Sequence, residues 1–160
     1  MKKILWTDPI EGSLLTRRNL PHIQEAGALY FLTASTYERK ILTEDNKTVI
    51  LNAIRFLDKK KYLLLSAVVM DDHYHVLIKP LAKDTGYYSL GEINHSIKSF
   101  TAKQIATGGR LWSPETYDHL IRNEKDYREK LLYIINNPVL AGFVEIPEQY
   151  RWLYCAADLA

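Results

Sequence analysis

The stretch AVVMDDHYHVLIKP, residues 67–80, joins two apolar segments through a pair of acidic residues. The first segment, Tyr62–Met70, is long and apolar enough to form a buried strand. Asp71 and Asp72 have the length of a tight turn, and His73–Lys79 is the returning strand, which the following proline stops. This stretch therefore predicts an antiparallel β-hairpin, with two histidines at the start of its second strand.

Outside the hairpin, the chain continues to alternate between strands and helices. Leu29–Thr36 is rich in aromatic and apolar residues and predicts a strand, and Thr43 is a helix N-cap residue. The other predicted elements are helices over Glu44–Lys59, Leu90–Ile105 and Glu124–Asn136, and an edge strand over Tyr117–Ile121. Pro138 sets the end of the third helix, because proline disfavours helical geometry in the residue before it. The order of elements predicts an α+β, ferredoxin-like split βαβ fold, in which helices pack on one antiparallel sheet.

The composition is that of an ordinary globular protein. The 160 residues are 47% hydrophobic and 25% charged, which predicts one domain over residues 1–160, with residues 1–20 irregular in part. Cys155 is the only cysteine, so an internal disulfide and a zinc site built from several thiolates are excluded. No apolar run has the length of a membrane helix, and the first residues do not form a secretory signal. We therefore expect a cytoplasmic protein with no membrane partner.

His73 and His75 are candidate metal ligands. Residues two apart on a strand point to the same face of the sheet, so both imidazoles come within reach of one cation. Tyr74, between them, points the other way. Two ligands do not complete a metal site, and a pair of partly exposed strand histidines is the alternative interpretation.

Tyr133 stands apart from the apolar stripe of the third predicted helix. At about 100° per residue, that stripe consists of Tyr127, Leu131, Ile134 and Ile135. Tyr133 lies roughly 145° from the centre of the stripe, on the same side as Lys130. Asn137 shares that side if the helix persists past Pro138. An amphipathic tyrosine at a helix edge is the alternative interpretation.

A phenol, two histidines and a divalent cation suit phosphodiester chemistry. A phenol is a poor nucleophile at neutral pH because its pKa is about 10, and a phosphodiester repels nucleophiles through its negative oxygens. A divalent cation held by neutral imidazoles keeps most of its charge and can stabilise the charge that develops during the attack. A covalent phosphotyrosine would conserve the energy of the broken ester for rejoining.

These residues resemble the motifs of a known family. AVVMDDHYHVLIKP is similar to the paired-histidine motif of HUH-type nucleases, although Tyr74 stands where that motif has a large aliphatic residue. YDHLIRNEKDYREKLLYIINNPVLAGFVEIPEQYRW, residues 117–152, resembles the C-terminal signature of the single-tyrosine HUH transposases, in which a tyrosine is followed four residues later by Asn and Pro. The similarity is greatest to the REP-associated tyrosine transposases, and it extends from about Arg17 to Trp152.

The resemblance implies a bacterial, metal-dependent endonuclease and transposase that acts on single-stranded hairpin DNA from REP-like palindromes. By the same resemblance, His73 and His75 bind Mg²⁺ or Mn²⁺, Asn137 supplies a third ligand, and Tyr133 is the nucleophile that takes the 5′ phosphate. Members of this subgroup are expected to use their own tyrosine, whereas other members of the superfamily form homodimers that exchange the tyrosine helix. The oligomeric state is left open. A DNA substrate also implies association with the nucleoid.

The residues that would contact DNA are predicted from the distribution of charge. Lys and Arg number 21 against 19 Asp and Glu, so the net charge of +2 does not itself indicate nucleic-acid binding. No acidic residue occurs between Glu92 and Glu115, while Lys98, Lys103 and Arg110 do, and these three are the first candidates for phosphate contacts. Lys60 and Lys61 are the second candidates. A solvated helix face is the alternative interpretation.

Two other functions fit the same residues. A ferredoxin-like sheet can bind nucleic acid without catalysis, as RNA-binding domains do. A metallohydrolase that activates water would use the histidines and need no tyrosine. A covalent protein–DNA adduct that depends on Tyr133 separates the transposase from both.

Overall fold

A five-stranded antiparallel sheet forms the centre of the protein. The structure is a computed structural model that describes residues 14–16, 22–105 and 108–156. Its strands are β1 (Leu14–Thr16), β2 (His22–Gln24), β3 (Tyr30–Thr36), β4 (Tyr62–Val69), β5 (His73–Pro80), β6 (Ala82–Lys83), β7 (Gly86–Tyr87), β8 (Trp112–Leu120) and β9 (Leu153–Cys155). Its helices are α1 (Glu44–Phe56), α2 (Leu90–Gln104) and α3 (Glu124–Leu140), with short 3₁₀ turns at Tyr37–Arg39 and Pro147–Gln149.

The central sheet has the strand order β8-β3-β5-β4-β9. The predicted hairpin forms its middle: Val69 pairs with Tyr74, and the amide of Met70 donates to the carbonyl of His73 across Asp71 and Asp72. On the other side of β5, Ser35 pairs with His73. The two histidines therefore lie on the central strand, at the end of the sheet where β3 and β4 finish.

The two faces of the sheet are covered by different helices. Successive side chains of β5 lie on opposite faces of the sheet. Tyr74, on one face, contacts Trp112, whose indole N–H donates to Thr101 of α2 at 2.9 Å. The histidines lie on the other face, against α3, which also inserts the fully buried Ile134. This is the predicted α+β fold with helices packed on an antiparallel sheet, and that prediction is confirmed.

Local signals in the sequence begin all three helices. The hydroxyl of Thr43 accepts from the amide of Asn46 at the start of α1, as its N-cap character predicts. Ser89 and Glu92 form a reciprocal capping box at the start of α2. The side chain of Asn123 accepts from the amide of Asp126 at the start of α3. Across the described ranges, no helix combines the length and the hydropathy needed to span a bilayer.

The predicted end of the third helix is wrong. The structure continues α3 through Pro138 to Leu140. A proline lacks only its own N–H, so the carbonyl groups around it can still accept hydrogen bonds. The carbonyl of Asn137 accepts from the amide of Ala141 at 3.0 Å, and the carbonyl of Pro138 accepts from the amide of Phe143 at 2.9 Å. The buried proline ring also packs in the interior. Asn137 is therefore helical and lies one turn beyond Tyr133.

Other boundaries also differ from the prediction. The edge strand is longer than Tyr117–Ile121, because β8 pairs with β3 from Trp112 onwards. The helix predicted to reach Lys59 ends at Phe56. The sheet gains a fifth strand, β9, whose three residues pair with β4. Within the N-terminal segment predicted to be irregular, β1 pairs with β2, and the rest of residues 1–20 lies outside the described part of the chain.

Candidate active site

The two histidines lie side by side, as their spacing on a strand predicts. Their ring centroids are 4.7 Å apart. His75 is only 4% exposed, whereas the side chain of His73 is 20% exposed at the end of the strand. Tyr74, between them, is fully buried on the opposite face, so a bulky residue there leaves the histidine face unchanged. The pair therefore presents one buried and one accessible imidazole to the same space.

Each histidine is oriented by a hydrogen bond through Nδ1. The Nδ1 of His73 lies 2.6 Å from a carboxylate oxygen of Asp72, and the Nδ1 of His75 lies 2.7 Å from the hydroxyl of Thr33. A carboxylate can only accept, so the Nδ1 of His73 carries the proton and its Nε2 keeps a lone pair. The Nε2 of His75 is buried and finds no hydrogen-bond partner among the described residues. This is the arrangement that metal-binding histidines show before they meet a cation.

Burial keeps the imidazole of His75 neutral. Desolvation first, and then repulsion from His73 and Lys130, lowers the pKa of His75 to about 3. At neutral pH the ring carries no charge and can offer a lone pair.

Tyr133 reaches this pair from α3. Its ring centroid lies 5.1 Å from that of His75 and 6.0 Å from that of Phe31. The side chain is 44% exposed, so its hydroxyl group lies on a ring that both contacts His75 and meets solvent. Tyr127, on the apolar stripe of the same helix, is buried in the core as predicted.

A second tyrosine lies on the same sheet face. Tyr117 of β8 pairs with Thr33, which also pairs with His75, so the side chains of all three point to the same side. Its ring is 57% exposed and lies 6.5 Å from the ring of Phe31. No ring contact between Tyr117 and either histidine is present in the described part of the chain. Tyr133 is therefore the tyrosine in contact with the histidine pair.

The residues fit a divalent cation. Asn137 lies four residues beyond Tyr133 on continuous helix, which puts it on the same helical face, and it is buried. Within the described ranges, no cluster of three or more His, Cys, Asp or Glu side chains could hold a metal ion, so a third ligand from those ranges would be a residue of another type. Two imidazole nitrogens and one amide oxygen suit a borderline-to-hard divalent ion that keeps open positions.

The turn before His73 is held by backbone hydrogen bonds and by ion pairs. The carbonyls of Asp71 and Asp72 accept from the amides of Leu42 and Thr36 at 2.6 and 2.8 Å. The carboxylate of Asp71 pairs with Lys47 at 2.6 Å, and that of Asp72 pairs with the guanidinium of Arg39 at 3.2 Å. The backbone that carries His73 is therefore fixed before any cation binds.

The five cations predicted to bind DNA are spread over the molecule. Arg110 lies 5.1 Å from the ring of Tyr37, next to the end of β3, and so at the histidine end of the sheet. The ammonium of Lys98 donates to the carbonyls of Ser113 and Glu115 at 3.0 and 3.3 Å, and Lys103 is exposed on α2. The structure thus brings Arg110 near the site end of the sheet, while Lys98 contacts the backbone of β8.

The second pair of predicted cations is remote from the histidines. Lys60 and Lys61 precede β4, whose first residue pairs with Pro80 at the far end of β5. Lys60 lies over the ring of Phe56 at 3.1 Å, and Lys61 donates to the hydroxyl of Ser96 at 2.6 Å.

Three residues at the site were missed by sequence reasoning. Thr33 and Phe31 face the histidines only because β3 pairs with β5 in a particular register, and no local pattern encodes that register. Asp72 was assigned to the turn alone, although its position directly before His73 is a signal for a carboxylate–histidine contact.

An antiparallel sheet whose central strand carries paired histidines, faced by a helical tyrosine, is the arrangement that the resemblance to the tyrosine transposases of the HUH type implies. Comparison with known proteins agrees. No protein-family model matches the chain. The chain is 30% identical over 123 residues to the REP-associated tyrosine transposase of Escherichia coli K12, covering 74% of this chain and 71% of that protein. It is 26% identical over 141 residues to a candidate REP-associated tyrosine transposase of Haemophilus influenzae, covering 79% and 78%.

Solved structures show the same fold. A REP-associated tyrosine transposase bound to a REP hairpin superposes with a TM-score of 0.69 at 21% identity, covering 92% of this chain and 82% of that one. A candidate transposase from Deinococcus radiodurans superposes with a TM-score of 0.50 at 18% identity, covering 78% and 97%. The chain belongs to the REP-associated tyrosine transposases and is a DNA transposase, as its motifs predict.

Proposed function

We propose that this transposase cleaves and rejoins single-stranded, hairpin-forming DNA through a covalent bond between Tyr133 and the 5′ phosphate of the cut strand. One observation carries the proposal: the ring of Tyr133 lies 5.1 Å from that of His75 in the same chain. Neither a purely structural helix nor a passive DNA-binding surface requires a half-exposed phenol against a buried imidazole with an unpartnered nitrogen.

The proposed substrate is a hairpin formed by REP-like palindromes. A structural neighbour is bound to a REP hairpin, and the sequence relatives are named for association with such repeats. Arg110 supports phosphate binding at the site end of the sheet, and the other predicted contacts remain Lys98, Lys103, Lys60 and Lys61. Because this substrate is genomic DNA, we expect the protein to act in the cytoplasm, at the nucleoid.

The proposed cofactor is Mg²⁺ or Mn²⁺, held by His73, His75 and Asn137. The support is the contact that each histidine makes through Nδ1, the neutrality of His75 and the burial of Asn137 on the tyrosine face of α3. When bound, the ion would neutralise the non-bridging oxygens of the scissile phosphate and so lower the barrier to attack.

The chain's own residues perform the bond exchange. The hydroxyl oxygen of Tyr133 attacks the phosphorus in line with the leaving 3′ oxygen, which departs as a 3′ hydroxyl. The phenol's proton is balanced by the proton gained on that hydroxyl, and solvent can relay it because Tyr133 is exposed. A second 3′ hydroxyl then attacks the phosphotyrosine, which restores the phenol and reseals a strand without an external energy source.

The site is complete within one chain in this proposal. Tyr133 and His75 touch without a second copy, which favours cleavage by the chain's own tyrosine over exchange of helices in a homodimer. A homodimer remains compatible with such a site.

A trapping assay tests the proposed function. A hairpin labelled on the 3′ side of the cleavage position is incubated with protein and Mg²⁺ and run on a denaturing gel. We expect a protein–DNA adduct with the wild type and with Tyr117→Phe, and none with Tyr133→Phe, while hairpin binding is retained in all three. Cleavage without any adduct would favour water activation, and binding without cleavage would favour a non-catalytic module.

A further inference from the structure

Lys130 lies near His75 and Tyr133, but it has no role in the proposed metal binding or in the nucleophilic attack. Its ammonium is 5.2 Å from the ring centroid of Phe31. Phe31 in turn lies 5.2 Å from His75 and 6.0 Å from Tyr133. Only the side chain of Phe31 therefore separates Lys130 from Tyr133, the proposed nucleophile, and from His75, a proposed metal ligand.

Helical spacing directs Lys130 to the same side as Tyr133 and Asn137. The three are separated by three and four residues on continuous α3, so they are neighbours along one face of the helix. That face is the one turned to β5, as the contact between Tyr133 and His75 shows.

Lys130 differs from the other basic residues of α3 in its partners. Arg128 pairs with Glu124 at 2.6 Å, and Lys125 pairs with Glu129 at 3.9 Å, both in the i,i+4 arrangement typical of a solvated helix surface. In the part of the chain that the structure describes, Lys130 pairs with no acidic side chain. Its closest partner is the face of Phe31, and a cation–π contact at a partly exposed site is weak enough to give way to a stronger anion.

An ammonium in this position matches the chemistry of the strand being cut. Each phosphate beside the tyrosine carries a full negative charge, and the attack at the scissile position adds more. A lysine is a point charge on a flexible stem, which can leave an aromatic face and follow a phosphate by a few ångströms.

We propose that Lys130 is a DNA-binding residue of the active site, which contacts a backbone phosphate at or directly beside the scissile position. This inference rests on the proposed function, and it adds to it a substrate contact other than the five cations predicted from the charge distribution. Release from Phe31 and capture of the phosphate would bring the strand to the phenol of Tyr133.

Three variants and a series of modified hairpins test this contact. Lys130→Met removes the charge and keeps the length, Lys130→Arg keeps the charge, and Lys125→Met removes an exposed charge from the same helix. Each hairpin carries a neutral methylphosphonate at one position near the cleavage site. Single-turnover adduct formation gives the efficiency of reaction, and hairpin affinity is measured over a range of salt concentrations.

We expect Lys130→Met to lower the efficiency about ten- to a hundredfold, while Lys130→Arg and Lys125→Met stay within about threefold of the wild type. The salt dependence of hairpin binding should become shallower by about 0.7 in the log–log slope for Lys130→Met. At one methylphosphonate position, wild type and Lys130→Met should become equal, because the charge that Lys130 binds is already absent. Thermal unfolding shows whether each variant folds. Methylphosphonate hairpins with the wild-type protein test the phosphate contact without any amino-acid substitution.

The outcomes distinguish failure of the Lys130 contact from failure of the proposed function. If the wild type forms no adduct with any hairpin, the proposed function fails. If the wild type forms the adduct but Lys130→Met behaves as Lys125→Met, Lys130 does not touch the DNA. If Lys130→Met is impaired equally at every methylphosphonate position, its role is packing on Phe31, and the phosphate contact is refuted.

Discussion

The hydroxyl of Thr33 lies 2.7 Å from the Nδ1 of His75, across the β3–β5 pairing. This contact holds the buried ring through Nδ1, while Nε2 has no hydrogen-bond partner among the described residues. The strand next to the histidine strand thus orients the imidazole, although Thr33 and His75 are 42 residues apart in the sequence.

Removing that hydroxyl should weaken metal binding. Thr33→Val leaves the buried Nδ1 of His75 without a partner, so we expect affinity for Mn²⁺ to fall about tenfold and unfolding free energy to fall by about 1–3 kcal/mol. Titration calorimetry and thermal unfolding measure the two effects. Thr116→Val is the matched control, because Thr116 pairs with Ala34 and points to the other face. Unchanged Mn²⁺ affinity in Thr33→Val would remove the orienting role of this hydrogen bond.

The histidine pair should determine the requirement for metal. His73→Ala and Asn137→Ala each delete one proposed ligand, so both should lose most Mg²⁺-dependent adduct formation while binding the hairpin with affinity near that of the wild type. Chelation with EDTA should have the same effect on the wild-type protein. Cleavage that persists in EDTA would show that no divalent ion takes part.

Arg110 and Lys98 should respond differently to substitution. Arg110→Met should weaken hairpin binding and lower its salt dependence, because the guanidinium lies at the histidine end of the sheet. Lys98→Met should weaken hairpin binding less and should also lower the melting temperature, since its ammonium contacts the carbonyls of Ser113 and Glu115 in the free protein. Fluorescence anisotropy at several salt concentrations, together with thermal unfolding, distinguishes them. The opposite pattern would mean that Lys98 leaves β8 to bind DNA.

The capping box of α2 should make stability depend on pH at the acidic end. Hydrogen bonds from Lys83 and then from the Ser89 amide lower the pKa of Glu92 to about 2. A carboxylate with a depressed pKa contributes stability above its unfolded value of 4.5, and that contribution is lost as the pH falls towards 2. Wild type should therefore lose more stability than Glu92→Gln between these pH values, as urea unfolding can show. Parallel losses in the two proteins would refute the role of this carboxylate.

Periodicity predicted much of the site, because it depends on single elements. The shared face of His73 and His75 follows from strand geometry, and the position of Tyr133 away from the apolar stripe follows from helix geometry. The position of Asn137 was harder to predict, since Pro138 forbids one helical hydrogen bond but not the bond from the amide of Ala141 to the carbonyl of Asn137. The local rule gave the wrong helix end there.

Relationships between distant segments could not be predicted in the same way. The position of Thr33 beside His75 depends on strand register, and β9 is a strand only because β4 offers it an edge. The cluster of positive charge around Lys98 predicts a DNA surface, but it does not predict that the ammonium of that lysine contacts two backbone carbonyls, because only the folded chain brings them near it. Such contacts depend on tertiary packing rather than on composition.

The most direct test of the central claim is the identity of the residue bound to DNA. A trapped hairpin adduct is digested with protease and nuclease, and the modified peptide is sequenced by mass spectrometry. The account predicts a nucleotide attached through its 5′ phosphate to the oxygen of Tyr133. Attachment to Tyr117, or to any other residue, would contradict it.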